Sequence, residues 1–164
     1  MAVVEGTASV RRSRARRILS DRNGLEVLDE ATCFALLGGA ALGRVAYIAA
    51  GIARVVPVNI AVQDGAVHVR VGTGGLLAAI TDGQLLTLEA DDHDTDSFGG
   101  WSVIVTGPAR EIARRPDRSL PMVYSWLQPD AARLVRLTPL EISGRRLQGL
   151  LDDRSNDHGE RTAQ

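Results

Sequence analysis

Arg54-Val55-Val56-Pro57-Val58-Asn59-Ile60-Ala61-Val62, then Gln63-Asp64-Gly65, then Ala66-Val67-His68-Val69-Arg70-Val71 is the stretch that decides the fold. Side chains branched at Cβ lose rotamer freedom against a helical turn and pack well on a pleated surface, so both apolar runs read as strands. Asp-Gly between them supplies the left-handed backbone of a tight hairpin turn. Upstream, Gly43 to Ile48 alternates and is broken by Gly51, which adds a strand before the hairpin. Downstream, Gly72-Thr73-Gly74-Gly75 is a flexible loop, and Leu76 to Ile80 fits one or two helical turns ending near Asp82-Gly83. Gln84 to Ala90 and Trp101 to Ile112 alternate most clearly, and Leu134 to Leu137 reads as a last core strand. The sequence therefore predicts a mainly β fold of six short strands at hairpin spacing with a few short helices. A closed antiparallel barrel suits it better than an open sheet, because closure removes unpaired edges.

Around this unit, Asp29 caps a short helix through Phe34, Leu36 and Leu37 that stops at Gly38-Gly39. Pro116 and Pro121 mark a connector, with a short helix expected over Val123 to Trp126. Residues 1–24 read as a flexible arm carrying Arg11, Arg12, Arg14, Arg16 and Arg17. Residues 25–150 form the barrel domain, and 151–164 a polar, disordered tail. With 164 residues and 45% apolar content, one core is expected. No run is long and apolar enough for a bilayer span and no signal peptide is legible, so a cytoplasmic protein without membrane partners is expected.

Composition excludes several chemistries. All 19 basic residues are arginine, so no lysine can form a Schiff base or serve a Walker-type phosphate loop. Any phosphate must be held by arginine forks, hydroxyls or backbone amides. The single cysteine, Cys33, reads as a small buried hydrophobe rather than half of a disulfide or metal pair. Asp92, Asp94 and Asp96 alternate as in a calcium loop. Ser97 stands where that loop needs glycine and Val103 where it needs glutamate, so a solvated turn and no metal site is expected. His93 has no local triad or metal signature, and His68, between Val67 and Val69, reads as a strand-surface side chain. Arg70 before the glycine loop makes a reasonable phosphate pocket.

Five segments in register carry a resemblance. Gly43-Arg44-Val45-Ala46-Tyr47, Val56-Pro57-Val58-Asn59-Ile60, Val67 to Arg70 with its glycine loop, Gly100-Trp101-Ser102-Val103, and Val135 to Pro139 with Ile142 to Arg146 together resemble the actinobacterial pyridoxamine 5'-phosphate oxidase-like proteins. The resemblance covers about residues 27–148. It implies a six-stranded antiparallel split β-barrel, a homodimer with flavin (FMN) sites in the clefts between subunits, and an oxidoreductase whose catalytic residues are unknown. It places Arg54, Pro57, Val58 and Asn59 under the isoalloxazine ring. Val69, Arg70 and Val71 fall at the phosphate side, and Trp101 and Ser102 at the ring edge, with core or interface packing an equal reading for Trp101. Arg145 and Arg146 either approach the cleft or end a solvated strand.

The chain departs from that family where relatives carry a hydroxyl residue followed by lysine. Here stand Gly75 and Leu76, with Leu76 taken to point toward the cleft. Losing one charge-assisted hydrogen bond costs on the order of 1.5–3 kcal/mol. Three function classes follow: an FMN oxidoreductase, a deazaflavin-dependent reductase on the same barrel, or a non-catalytic dimer without cofactor. In the last, the Arg11 to Arg17 arm touches nucleic acid or another acidic partner, against the plainer reading of a solvated arm.

Overall fold

The computed structural model describes residues 19–113, 122–123 and 132–147. The Arg11 to Arg17 run, the expected helix beyond Val123 and the tail beyond Leu151 lie outside the described residues. Eight strands and two helices follow in the order β1 (Glu26–Leu28), α1 (Glu30–Gly39), β2 (Leu42–Ala49), β3 (Ile52–Gln63), β4 (Ala66–Val71), α2 (Gly75–Thr81), β5 (Leu85–His93), β6 (Gly100–Glu111), β7 (Arg133–Leu137) and β8 (Glu141–Leu147). All pairings are antiparallel, and β6–β5–β2–β3–β4–β7 closes back on β6 as a six-stranded barrel. Neither helix is long and apolar enough to cross a membrane.

Two long strands make closure possible by changing partners along their length. In β3, Ile52 to Asn59 pairs with β2 and Ile60 to Gln63 with β4. In β6, Gly100 to Thr106 pairs with β8 and Ala109 to Glu111 with β7, while β5 stays on the other edge. The handover falls at Gly107. β8 and β1 extend the sheet outside the barrel, and neither is among the six strands expected from sequence.

The turns and helices follow local chemistry. Asp64 and Gly65 both have positive φ, as the β3–β4 hairpin requires, and Ala50 and Gly51 repeat the device between β2 and β3. The Asp29 side chain accepts from Thr32 N and caps α1. Cys33 and Leu37, one turn apart, carry the buried face of α1, so Cys33 is the small hydrophobe expected of it.

The barrel interior is filled by alternate residues: Val45 on β2, Val67 and Val69 on β4, Leu86 and Leu88 on β5, Val103 and Val105 on β6, and Val135 and Leu137 on β7. Each such side chain contributes about 1.5–3 kcal/mol by leaving water. His68 departs from expectation. It points out of the barrel by alternation yet is only 4% exposed, because the outer face of β4 and β7 is covered too, with Val123 part of that cover.

Candidate functional site

The residues singled out by sequence fall in two places. The first is the barrel mouth beside the glycine loop. Tyr47 on β2 stands directly opposite Arg54 on β3, and opposed residues of an antiparallel pair share a face. The Tyr47 ring packs against the core on one side and against Gly75 on the other. A Cβ on residue 75 would lie 3.1 Å from Tyr47 Oη and 3.3 Å from Cε2, so glycine here makes room for the ring. Arg54 is exposed and forms no hydrogen bond or ion pair with a described residue.

One expectation about this mouth needs correcting. Leu76 does not point toward a cleft; it is 8% exposed and joins Ala79 and Ile80 on the buried face of α2. The spacing 76, 79, 80 places all three on the helix stripe that plugs the barrel end. Arg70 is held by its Nε, which donates to the Val123 carbonyl at 3.0 Å, while its two terminal nitrogens bond no described residue. Val58, Val69 and Val71 turn their side chains into the core, leaving only backbone groups for a ligand. Pro57 is exposed opposite Arg44, and Asn59 Nδ2 donates to the Ala41 carbonyl at 3.4 Å.

The second place is a groove of about 520 Å3 at the far end of β5 and β6, lined in part by Leu25, Phe98, Trp101, Ser102, Arg145 and Leu147. Trp101 points to the core side and packs partly against it, whereas Ser102 points outward opposite Arg145. Arg145 Nε reaches Asp21 Oδ2 at 3.0 Å, and Arg146 pairs with Glu26 at 3.5 Å, so both arginines hold the strand edge against residues 21–26. The Asp21 carboxyl is held below its ordinary value by the Asn23 backbone N–H, with Arg145 assisting. Asp94 accepts from the backbone N–H of Asp96 and Ser97 and so shapes the acidic turn.

One chain does not bring the two places together. β2 and β5 lie between β3 and β6, roughly 14 Å around the sheet at the usual strand spacing. On the outer face between them, Arg44 bonds Asp91 at 2.5 Å and Glu89 at 3.2 Å. Burial pushes the Glu89 carboxyl up, and the neighbouring Asp91 charge adds to the shift while Arg44 opposes it. Beside this cluster the same face is apolar and uncovered. Val55, Ala46, Thr87 and Thr106 form one row across four strands, and Ile48, Leu85 and Ile104 flank it. Val55 is 63% exposed.

Sequence reasoning missed Tyr47 as a site residue, although its alternation with Val45 was a usable signal. It missed the Arg44, Glu89 and Asp91 cluster altogether, which only strand register assembles.

The profile of the pyridoxamine 5'-phosphate oxidase family matches residues 29–146, from the cap of α1 to β8. The chain belongs to the pyridoxamine 5'-phosphate oxidase family. This family member is 30% identical over 147 residues to the uncharacterized protein Rv0080 of Mycobacterium tuberculosis, covering 82% of this chain and 95% of that one. Its fold is similar to that of the FAD-binding protein of Mycobacterium smegmatis, with a TM-score of 0.59, 32% identity, and coverage of 76% of this chain and 99% of that one. An FAD-binding protein of Mesorhizobium loti shares the fold at a TM-score of 0.62 and 17% identity, covering 76% and 99%. The pyridoxamine 5'-phosphate oxidase fold thus accompanies flavin binding in these neighbours.

Proposed function

We propose that the protein is a flavin nucleotide-binding oxidoreductase that works as a homodimer. The observation that carries the reading is the exposed Arg54 guanidinium opposite Tyr47 at the barrel mouth, which bonds no described residue, in a chain 32% identical to an FAD-binding protein. An exposed arginine near a loop that carries only the Thr73 side chain fits the phosphate of FMN or FAD by forked, charge-assisted hydrogen bonds. Bound flavin would supply the hydride chemistry, so the barrel needs to bind and orient rather than provide a catalytic triad.

The dimer reading is supported by the separation of the two places and by the exposed apolar face between them. A second copy laid on Val55, Ile48, Leu85 and Ile104 covers that patch. It also allows the Trp101 and Ser102 region of one copy to approach the Arg54 mouth of the other. Exposed patches of this kind mark interaction surfaces.

A second reading, deazaflavin in the same cleft, is favoured by the absence of lysine, since Gly72 to Leu76 carries no cation of its own. The visible absorbance of the purified protein, followed by titration with FMN, FAD and deazaflavin, tests both. Flavin uptake supports the first, deazaflavin alone moves the assignment to the second, and uptake of none points to a non-catalytic dimer.

A further inference from the structure

The Tyr47 ring is wedged between the barrel core and the backbone of Gly75, close enough that residue 75 has no room for a relaxed side chain. Its hydroxyl bonds no described residue. Nor is it among the buried polar atoms left without a partner, which among the described residues are His68 Nδ1 and Arg136 Nε. Across the β2–β3 pair is Arg54, also without a bond to a described residue and on the same face. The mouth thus presents one O–H donor and one guanidinium fork on one face, at a loop whose Gly74 has open space around it.

We propose that Tyr47 Oη is a phosphate-binding donor of this site, working beside Arg54 and standing in the space that a side chain at residue 75 would occupy. The proposal rests on the flavin-nucleotide reading and deepens it. Arg54 presents two parallel N–H groups to two oxygens of a phosphate, and the phenol O–H donates to a third. A ring braced on the core and on the Gly75 backbone keeps that donor in one place, so little side-chain freedom is lost when the ligand arrives. The pair reads the phosphate and not the ring system, so it selects phosphorylated over dephosphorylated forms of the same ligand.

Tyr47→Phe removes the hydroxyl and keeps the ring. FMN and riboflavin, which share the isoalloxazine and differ in the phosphate, are titrated against wild type and variant by flavin fluorescence, with melting temperature measured in parallel. The expected result is an FMN Kd about tenfold weaker in the variant, as for one hydrogen bond to a charged group. Riboflavin affinity and melting temperature should be unchanged. An FMN Kd within twofold of wild type overturns the role of Tyr47, as does an equal loss for riboflavin, which marks the ring as merely structural. A wild-type protein that takes up neither of these, nor FAD titrated beside them, overturns the flavin reading itself, and the phosphate role falls with it.

Discussion

Gly107 on β6 lies so tightly under the backbone of Thr138 that a Cβ on residue 107 would sit 2.0 Å from the Thr138 carbonyl oxygen. The contact falls where β6 passes from β8 to β7 as partner, and where the Thr138 to Leu140 connector crosses the strand. Thr138 N donates to the Pro108 carbonyl and Leu140 N to the Thr106 carbonyl, so the connector is pinned on both sides and cannot retreat.

Gly107→Ala should therefore be among the most destabilising single methyl additions in the chain. A backbone carbonyl cannot swing aside as a flexible side chain can, and overpacking of this kind costs about 3 kcal/mol. Urea denaturation checks it. Gly38→Ala, where no atom lies within 4 Å of the added Cβ, is the control and should not destabilise, since alanine is the better helix former within α1.

His68 should give the protein an acid-sensitive stability. Burial holds its imidazole below the ordinary value of 6.5, the Arg136 charge lowers it further, and Asp64 opposes weakly. Below about pH 6.5 the unfolded chain takes a proton that the native imidazole refuses, so stability falls as pH drops from there toward the lowered native value. Above pH 6.5 both states are neutral and the effect vanishes. His68→Leu also removes the unpartnered Nδ1, so it should flatten this slope in urea midpoints measured from pH 7.5 to 5. An unchanged slope would assign the acid sensitivity to other groups.

Arg54 and Arg70 should separate cleanly when each is replaced by alanine. Arg54→Ala should weaken FMN or FAD by about tenfold with little change in melting temperature, since it removes a charged donor that bonds no described residue. Arg70→Ala should instead cost about 1 kcal/mol of stability by releasing the Val123 carbonyl, with the smaller effect on flavin affinity. Isothermal titration and thermal melts on both variants decide it.

Adding the missing cation at residue 76 should fail. Leu76→Lys places an ammonium on the buried face of α2, and the expected loss is about 3 kcal/mol of stability, without a gain in FMN affinity.

Val55→Asp combined with Ile48→Asp should leave the barrel folded and convert a dimer to a monomer, because both side chains are exposed in the single chain and only a partner would bury them. Light scattering reads the mass and circular dichroism the fold. A wild-type monomer at micromolar concentration would remove the composite cleft.

Local chemistry by itself determined the six barrel strands, their hairpin turns and both helices. Alternation in Leu86, Leu88, Val103 and Val105, the Asp64-Gly65 turn and the Asp29 cap each act within a few residues, and the fold agrees with all of them. Likewise the 76, 79, 80 spacing already contained the burial of Leu76. Tertiary structure decided what depends on register and close approach: that β3 and β6 change partners, that β1 and β8 extend the sheet, and that His68 is covered on the outer face of β4. It also decided the candidate site. Tyr47 meets Arg54 only because β2 and β3 pair in one register. It meets Gly75, far along the chain, only because α2 folds back into the barrel mouth. Local periodicity reports which face a residue takes. What it meets there is set by non-local pairing and packing, which leave no mark on the residues nearby in sequence.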